Sequence, residues 1–209
     1  MPEARAPASQ TRPKPGHRKG DLREAEILDA AETLLGDPGY EGVTMALIAS
    51  RTGITRPSLY FYFDSKQRVM TAVVERTLAP LATMPGWLTA PEADPATSIR
   101  EGIELTAGLW REHTAVMSFA ARSADAIPEV GRAWRATLAA SRDALAELLE
   151  RGGVEGTVEE RRRMADALVA MVERSFWNLH AHRHTRAAEA ELLDTLEELL
   201  VMPISGARG

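Results

Sequence analysis

Residues Thr44–Lys66, TMALIASRTGITRPSLYFYFDSK, decide the fold of this chain. Thr44 suits the N-cap of a short helix that carries Leu47, Ile48 and Arg51. Gly53 supplies a tight turn, and Thr55 caps a second, very short helix through Leu59 and Tyr60. An aromatic cluster follows, and a further helix starts near Lys66. Two short helices joined by a glycine turn form the layout of a helix-turn-helix. Its compact first helix and tight turn hold the second helix at the steep angle needed to enter a major groove.

The residue types inside this stretch suit such a surface. The Thr55 hydroxyl can cap the short helix, and the helix N-terminus favours a phosphate nearby. Arg56 points from the first turn, where its guanidinium can make two hydrogen bonds to guanine O6 and N7. Pro57 loses nothing in a first turn and can touch a thymine methyl, while Ser58 is small enough for close approach. Tyr60, Tyr62, Lys66 and Thr44 can donate to phosphate oxygens. Leu59 and Phe63 are expected to pack on Ile48 and Leu28. The plain alternative makes Phe61-Tyr62-Phe63 core and Arg56 a solvated charge. The spacing, the capping residues and a basic arm upstream jointly favour the DNA-reading interpretation.

Working outward, residues 1–20 carry Arg5, Arg12, Lys14, Arg18 and Lys19 against Glu3 alone, and read as a disordered basic arm. The whole chain has 209 residues and a net charge of -5, with the acidic surplus in residues 71–209. Binding to DNA follows the local field, so this balance argues only against a protein that coats DNA nonspecifically. With 44% hydrophobic and 26% charged residues, the composition is that of a globular protein. Leu, Ala, Glu and Arg recur and β-branched runs are scarce, which favours an all-α chain. There is no cysteine, so disulfides and thiolate metal sites are excluded and a cytoplasmic setting fits. No apolar run has the ~20 residues of a membrane span, and the N-terminus lacks the apolar core of a secretory signal.

Asp21 and Glu24 form a capping-box pair for a first helix over Asp21–Leu35, with Ile27, Ala31 and Leu34 on one face and a stop at Gly36-Asp37-Pro38-Gly39. The helix after the reader starts under Asp64 or Ser65, Asp64 with Gln67 fitting a capping box better, and runs to about Leu81. Met84–Pro95 is a proline- and glycine-rich loop. Long amphipathic patterns follow at Ala96–His113, Thr114–Ser123, Pro128–Arg151, Thr157–Ala181 and Ala187–Val201, about nine helices in all. The expected organisation is an arm (1–20), a three-helix reader (21–66) and a larger helical ligand-binding and dimerisation module (67–205).

GITRPSLYFYFDSK resembles the reader of the TetR family of bacterial transcriptional repressors over about Asp21–Val73. The resemblance implies that Thr44, Thr55, Arg56, Pro57, Ser58, Tyr60, Tyr62 and Lys66 fall where that family contacts DNA. Ala46 departs from it, standing where some members place a base-reading arginine. RPSLYFYFDSK, MVERSFW (Met171–Trp177) and LLDTL (Leu192–Leu196) are similar to one branch, the ethionamide-resistance regulators.

In the larger module, Leu168, Val169, Val172, Phe176 and Leu179 form one apolar face, and Leu192, Leu193, Leu196, Leu199 and Leu200 another. Two such helices can pair with a twofold mate as a four-helix bundle or bury within one chain; a palindrome reader needs the pair, and the resemblance implies the same homodimer. Trp87, Trp110, Phe119, Trp134, Phe176 and Trp177 suit a cavity for an apolar ligand as well as ordinary core. The resemblance implies a lipophilic effector lined by Gly102, Trp110, Trp134, Leu138, Glu173, Phe176 and Trp177. Val169 and Val172 replace that branch's polar asparagines, which leaves Glu173 as the charge of the site, or else an ion-pair partner at a dimer surface.

His180 and His184 share a helix face, but no carboxylate sits one turn away on it. A polar helix end is the better reading than a metal site, and no cofactor is expected. Arg161-Arg162-Arg163 reads as a solvated helix start. The expectation is a dimeric repressor of double-stranded operator DNA, released by a small apolar effector. Its rivals are a helical-bundle enzyme, which lacks any phosphate loop, nucleophile elbow or carboxylate–histidine set, and an effector-independent DNA-binding protein.

Overall fold

The computed structural model describes residues 15–88, 90 and 92–207. Ten helices and no strand occur among the described residues. They are α1 (Pro15–Gly36), α2 (Gly39–Gly42), α3 (Met45–Arg51), α4 (Arg56–Tyr62), α5 (Lys66–Leu88), α6 (Pro95–Glu112), α7 (Thr114–Ser123), α8 (Pro128–Arg151), α9 (Val158–His180) and α10 (Arg186–Ala207).

The N-terminal helices form the small reader. Ile27, Leu28, Ala31, Leu34 and Leu35 of α1 are buried with Ile48 of α3, Leu59 of α4 and Phe63. Gly53, between α3 and α4, has φ 65°, a conformation that costs a residue with a Cβ about 1–2 kcal/mol. That is why a glycine makes this turn. The same apolar core runs without a break through Val69, Val73 and Leu78 of α5 into the bundle of α6 to α10. α5 therefore belongs to both parts and joins them without a linker.

Several boundaries differ from expectation. α1 begins at Pro15, so Asp21 and Glu24 lie inside it and do not cap it. Of the expected arm, residues 1–14 lie outside the described residues. α2 is an additional single turn between α1 and α3. Ser65, and not Asp64, caps α5: its hydroxyl oxygen accepts the Arg68 N–H at 3.2 Å. Gln67 is drawn away from any capping box by Glu129, to which its amide donates at 2.8 Å. α5 passes Pro80, Leu81 and Pro85 to reach Leu88; Leu78 and Leu81, buried on its inner face, hold it against the ladder bonds that the two prolines cannot make. α10 likewise passes Pro203, so that Ile204 is buried where Gly152 leaves room.

Arg161 corrects another expectation. It is only 8% exposed, with Nη2 donating to Glu150 Oε1 at 2.5 Å and Nη1 to the Gly156 carbonyl at 2.5 Å. It clamps the turn between α8 and α9, where free carbonyls need donors; Arg162 and Arg163 stay exposed. Thr157 and Glu160 then start α9 with a full capping box, which holds the Glu160 carboxyl below the usual range through the Thr157 backbone N–H.

Candidate functional site

The helix-turn-helix is built from its caps. Thr44 accepts the Leu47 N–H at 3.2 Å at the head of α3, and Thr55 accepts the Ser58 N–H at 3.3 Å at the head of α4. The Thr55 and Ser58 hydroxyls also meet at 2.9 Å. Leu59 is completely buried, so the opposite face of α4 turns outward. Arg56, Pro57 and Ser58 are exposed on it, and Tyr60 is 52% exposed. Tyr62 is half-buried and packs against the core.

Lys66 sits differently from a free phosphate donor. Its ammonium donates to the Tyr40 carbonyl at 3.1 Å and lies 4.1 Å from the centre of the Tyr40 ring. Tyr40 in turn stacks on Phe119 of α7 at 4.8 Å. Lys66 is thus a strut between reader and bundle as well as a cation beside the reading surface.

One residue of this surface escaped the sequence reading. Phe61 is 86% exposed, against Phe63 in the core, with only an edge contact to Tyr62 at 5.5 Å. The signal was present: Tyr60, Phe61 and Tyr62 are consecutive on α4, turn through about 200° and cannot all face inward.

The reader is fastened to the bundle by polar contacts. Glu32 of α1 accepts from Arg76 of α5 at 2.9 Å and meets His113 Nδ1, at the α6–α7 junction, at 2.5 Å. Arg76 also donates to Asp29 at 2.7 Å. Glu129, at the head of α8, is held below the usual carboxylate range by its own backbone N–H and by Gln67.

A cavity of about 100 Å³ lies in the bundle, walled by α5, α6, α7, α8, α9 and α10. The structure brings five of the seven expected residues onto its wall: Gly102, Trp110, Trp134, Leu138 and Glu173. Val169 and Val172 join them. Phe176 is fully buried off the wall, and Trp177 lies under the Arg174 guanidinium at 4.5 Å. Both continue the inner face of α9 past the end of the cavity. Trp87 has no described side chain. Burial pushes the Glu173 carboxyl up from its ordinary value, with Arg174 pulling the other way.

Beyond the cavity, His180 is half-buried, its ring 5.7 Å from that of Trp110 and 4.6 Å from that of His184. Its Nδ1 lies 3.3 Å from the Thr114 hydroxyl, while Nε2 is buried without a partner. The expected polar helix end thus holds for His182 and His184, which are exposed, and not for His180, which Trp110 draws inward. No helix among the described residues is long and apolar enough to cross a membrane.

Comparison with known proteins sets these features in context. The family model for bacterial regulatory proteins of the tetR family matches residues 27–73. The HTH-type transcriptional regulator EthR of Mycolicibacterium smegmatis is 30% identical over 210 residues, covering 95% of each chain. Among solved structures, a TetR-like transcriptional regulator from a Rhodococcus species superposes with a TM-score of 0.69 at 25% identity, over 88% of this chain and 97% of that one. The transcriptional regulator FadR of Bacillus subtilis, solved in complex with stearoyl-CoA, shares the fold with a TM-score of 0.66 at 16% identity, over 85% of this chain and 97% of that one.

Proposed function

Because the chain belongs to the TetR family and is a DNA-binding transcriptional regulator, we propose that it acts as a homodimeric repressor which a small lipophilic effector releases from its operator. The contact set on DNA is Thr44, Thr55, Arg56, Pro57, Ser58, Tyr60, Tyr62 and Lys66, with Phe61 added to it. Arg56 reads a guanine edge, and the hydroxyls and Lys66 fix the register on phosphates.

Two readers address successive major grooves ~34–36 Å apart, so the chain works in pairs. The pairing surface is the outer side of α9 and α10, where Leu168, Met171 and Leu192 remain half-exposed and Leu199 and Met202 are 38% and 53% exposed. Such a row of apolar side chains fits the flank of a four-helix bundle. A repressor of this kind works in the cytoplasm.

One observation carries the release step. Leu81, on the cavity wall, belongs to the same helix α5 that begins at Lys66 beside the reading surface. At about 100 Å³ the cavity is smaller than the roughly 150 Å³ space that admits benzene. An effector with a longer apolar body enters only by displacing a wall. Moving α5 changes the spacing of the two readers. The effector then binds the displaced state more tightly, and that difference in affinity drives release. An apolar cavity whose wall includes the helix that starts at the reader favours this over an effector-independent DNA protein, which needs no such cavity.

The test is selection of bound sites from random DNA, followed by titration of the selected duplex with apolar molecules that bind the protein. Loss of DNA affinity on binding is expected. A tight apolar ligand that leaves DNA affinity unchanged refutes release.

A further inference from the structure

Of the described residues on the cavity wall, Glu173 carries the one charge. The Thr106 hydroxyl donates to the Gly102 carbonyl at 2.8 Å, and the Thr137 hydroxyl to the Ala133 carbonyl at 3.0 Å. Each has spent its proton on its own helix and turns only lone pairs to the cavity. Glu173 adds a carboxylate to the same wall, and an ionised carboxylate only accepts.

Among the described residues Glu173 has no hydrogen bond and no ion pair. Its one cationic neighbour, Arg174, lies over the Trp177 ring instead. A half-buried carboxylate without a donor is a standing electrostatic cost that a bound cation removes. The two indoles on the wall, Trp110 and Trp134, add π surface, which attracts cations too. Their N–H groups are neutral donors, and a hydrogen bond to a full charge is roughly twice as strong as one to a neutral group. The charge of Glu173 therefore sets the preference; the Ser98 and Ser141 hydroxyls are neutral too, and most of the remaining wall is apolar.

We propose that the cavity selects effectors bearing a protonated amine on an apolar body, with the Glu173 carboxylate as the receptor for the ammonium. This rests on the cavity being the effector site, and it narrows the lipophilic effector to a lipophilic amine. Neutral esters and ketones can take a hydrogen bond from the indole or serine groups of the wall but leave the charge of Glu173 uncompensated.

The probes are 4-phenylbutylamine and 4-phenylbutanol, which share an apolar body and differ in the charge of the head. Binding to the full chain is followed by calorimetry and tryptophan fluorescence. The amine is expected to bind ~tenfold or more tightly than the alcohol. Glu173→Gln, close in size and uncharged, is expected to erase that preference. Leu138→Trp, which fills the cavity, is expected to abolish both.

Equal affinities for the two probes in the unaltered protein overturn the amine selectivity and leave the cavity as effector site. So does an amine preference that survives Glu173→Gln. Binding of both probes that survives Leu138→Trp places them elsewhere and overturns it as well. If neither probe binds the unaltered protein, the effector-site reading falls and takes this one with it. The comparison of the two probes on the unaltered chain stands even if a variant does not fold.

Discussion

Arg56 stands exposed in the first turn of α4, and no ion pair holds it among the described residues. A guanidinium in that position is free to fork onto a base. Arg56→Ala is expected to lose ~1–3 kcal/mol on the cognate duplex and to relax one base position in a selection experiment. A uniform loss on random DNA would make it a phosphate contact. Phe61 differs in kind. Being exposed, it contributes little to folding, so Phe61→Ala should leave the urea midpoint nearly unchanged while lowering DNA affinity by about 1–2 kcal/mol of lost apolar burial. Unchanged affinity would put Phe61 outside the interface. Lys66→Ala should do two things, because the ammonium both bonds Tyr40 and lies beside the reading surface. Stability should fall by about 1–2 kcal/mol, and the salt dependence of DNA binding should become shallower. A drop in stability with an unchanged salt slope would leave it as a strut alone.

At the scale of elements, two glycines inside helices make opposite demands. A methyl group on Gly131 of α8 would lie 2.0 Å from the Ala124 carbonyl oxygen, so the α7–α8 turn closes only over a glycine. Gly131→Ala is expected to destabilise by about 1–3 kcal/mol. Gly108 of α6 has nothing within 4 Å of the same position. There alanine should be neutral or stabilising by up to about 1 kcal/mol, since it narrows the unfolded ensemble and raises helix propensity. Thermal melts of the two variants side by side check the pair. A Gly131→Ala protein as stable as Gly108→Ala would mean that the turn yields freely.

For the whole molecule, pH acts through His180, where α6, α7, α9 and α10 meet. Burial comes first in holding its imidazole below the ordinary value of 6.5; His184 and Arg111 add to this, and Glu189 opposes it. The folded chain then binds fewer protons than the unfolded one just below that value. Stability is full above 6.5 and falls as pH drops through it toward the lower folded value. Urea midpoints at successive pH values should show this slope, and His180→Gln should flatten it; an unchanged slope assigns it to other groups. The proposed pairing of two chains is tested at this scale too. Leu199→Arg with Met202→Arg should yield a monomer in sedimentation and a large loss of operator affinity. A surviving dimer would move the interface off α10.

By itself, the sequence determined what depends on near neighbours in the chain. The caps Thr44 and Thr55, the Gly53 turn, the all-helical class and the spans of α7 and α8 follow from short-range hydrogen bonding, backbone conformation and apolar periodicity. Only the tertiary structure decided which partner each side chain meets. Gln67 left its expected cap for Glu129, far along the chain, and Lys66 turned to Tyr40. Arg161 became a buried clamp, and five of the seven expected cavity residues gathered while Phe176 and Trp177 did not. Periodicity fixes a residue's face on its helix. What that face meets depends on how far along a helix the neighbouring helices leave space, and that is set by packing across the whole bundle.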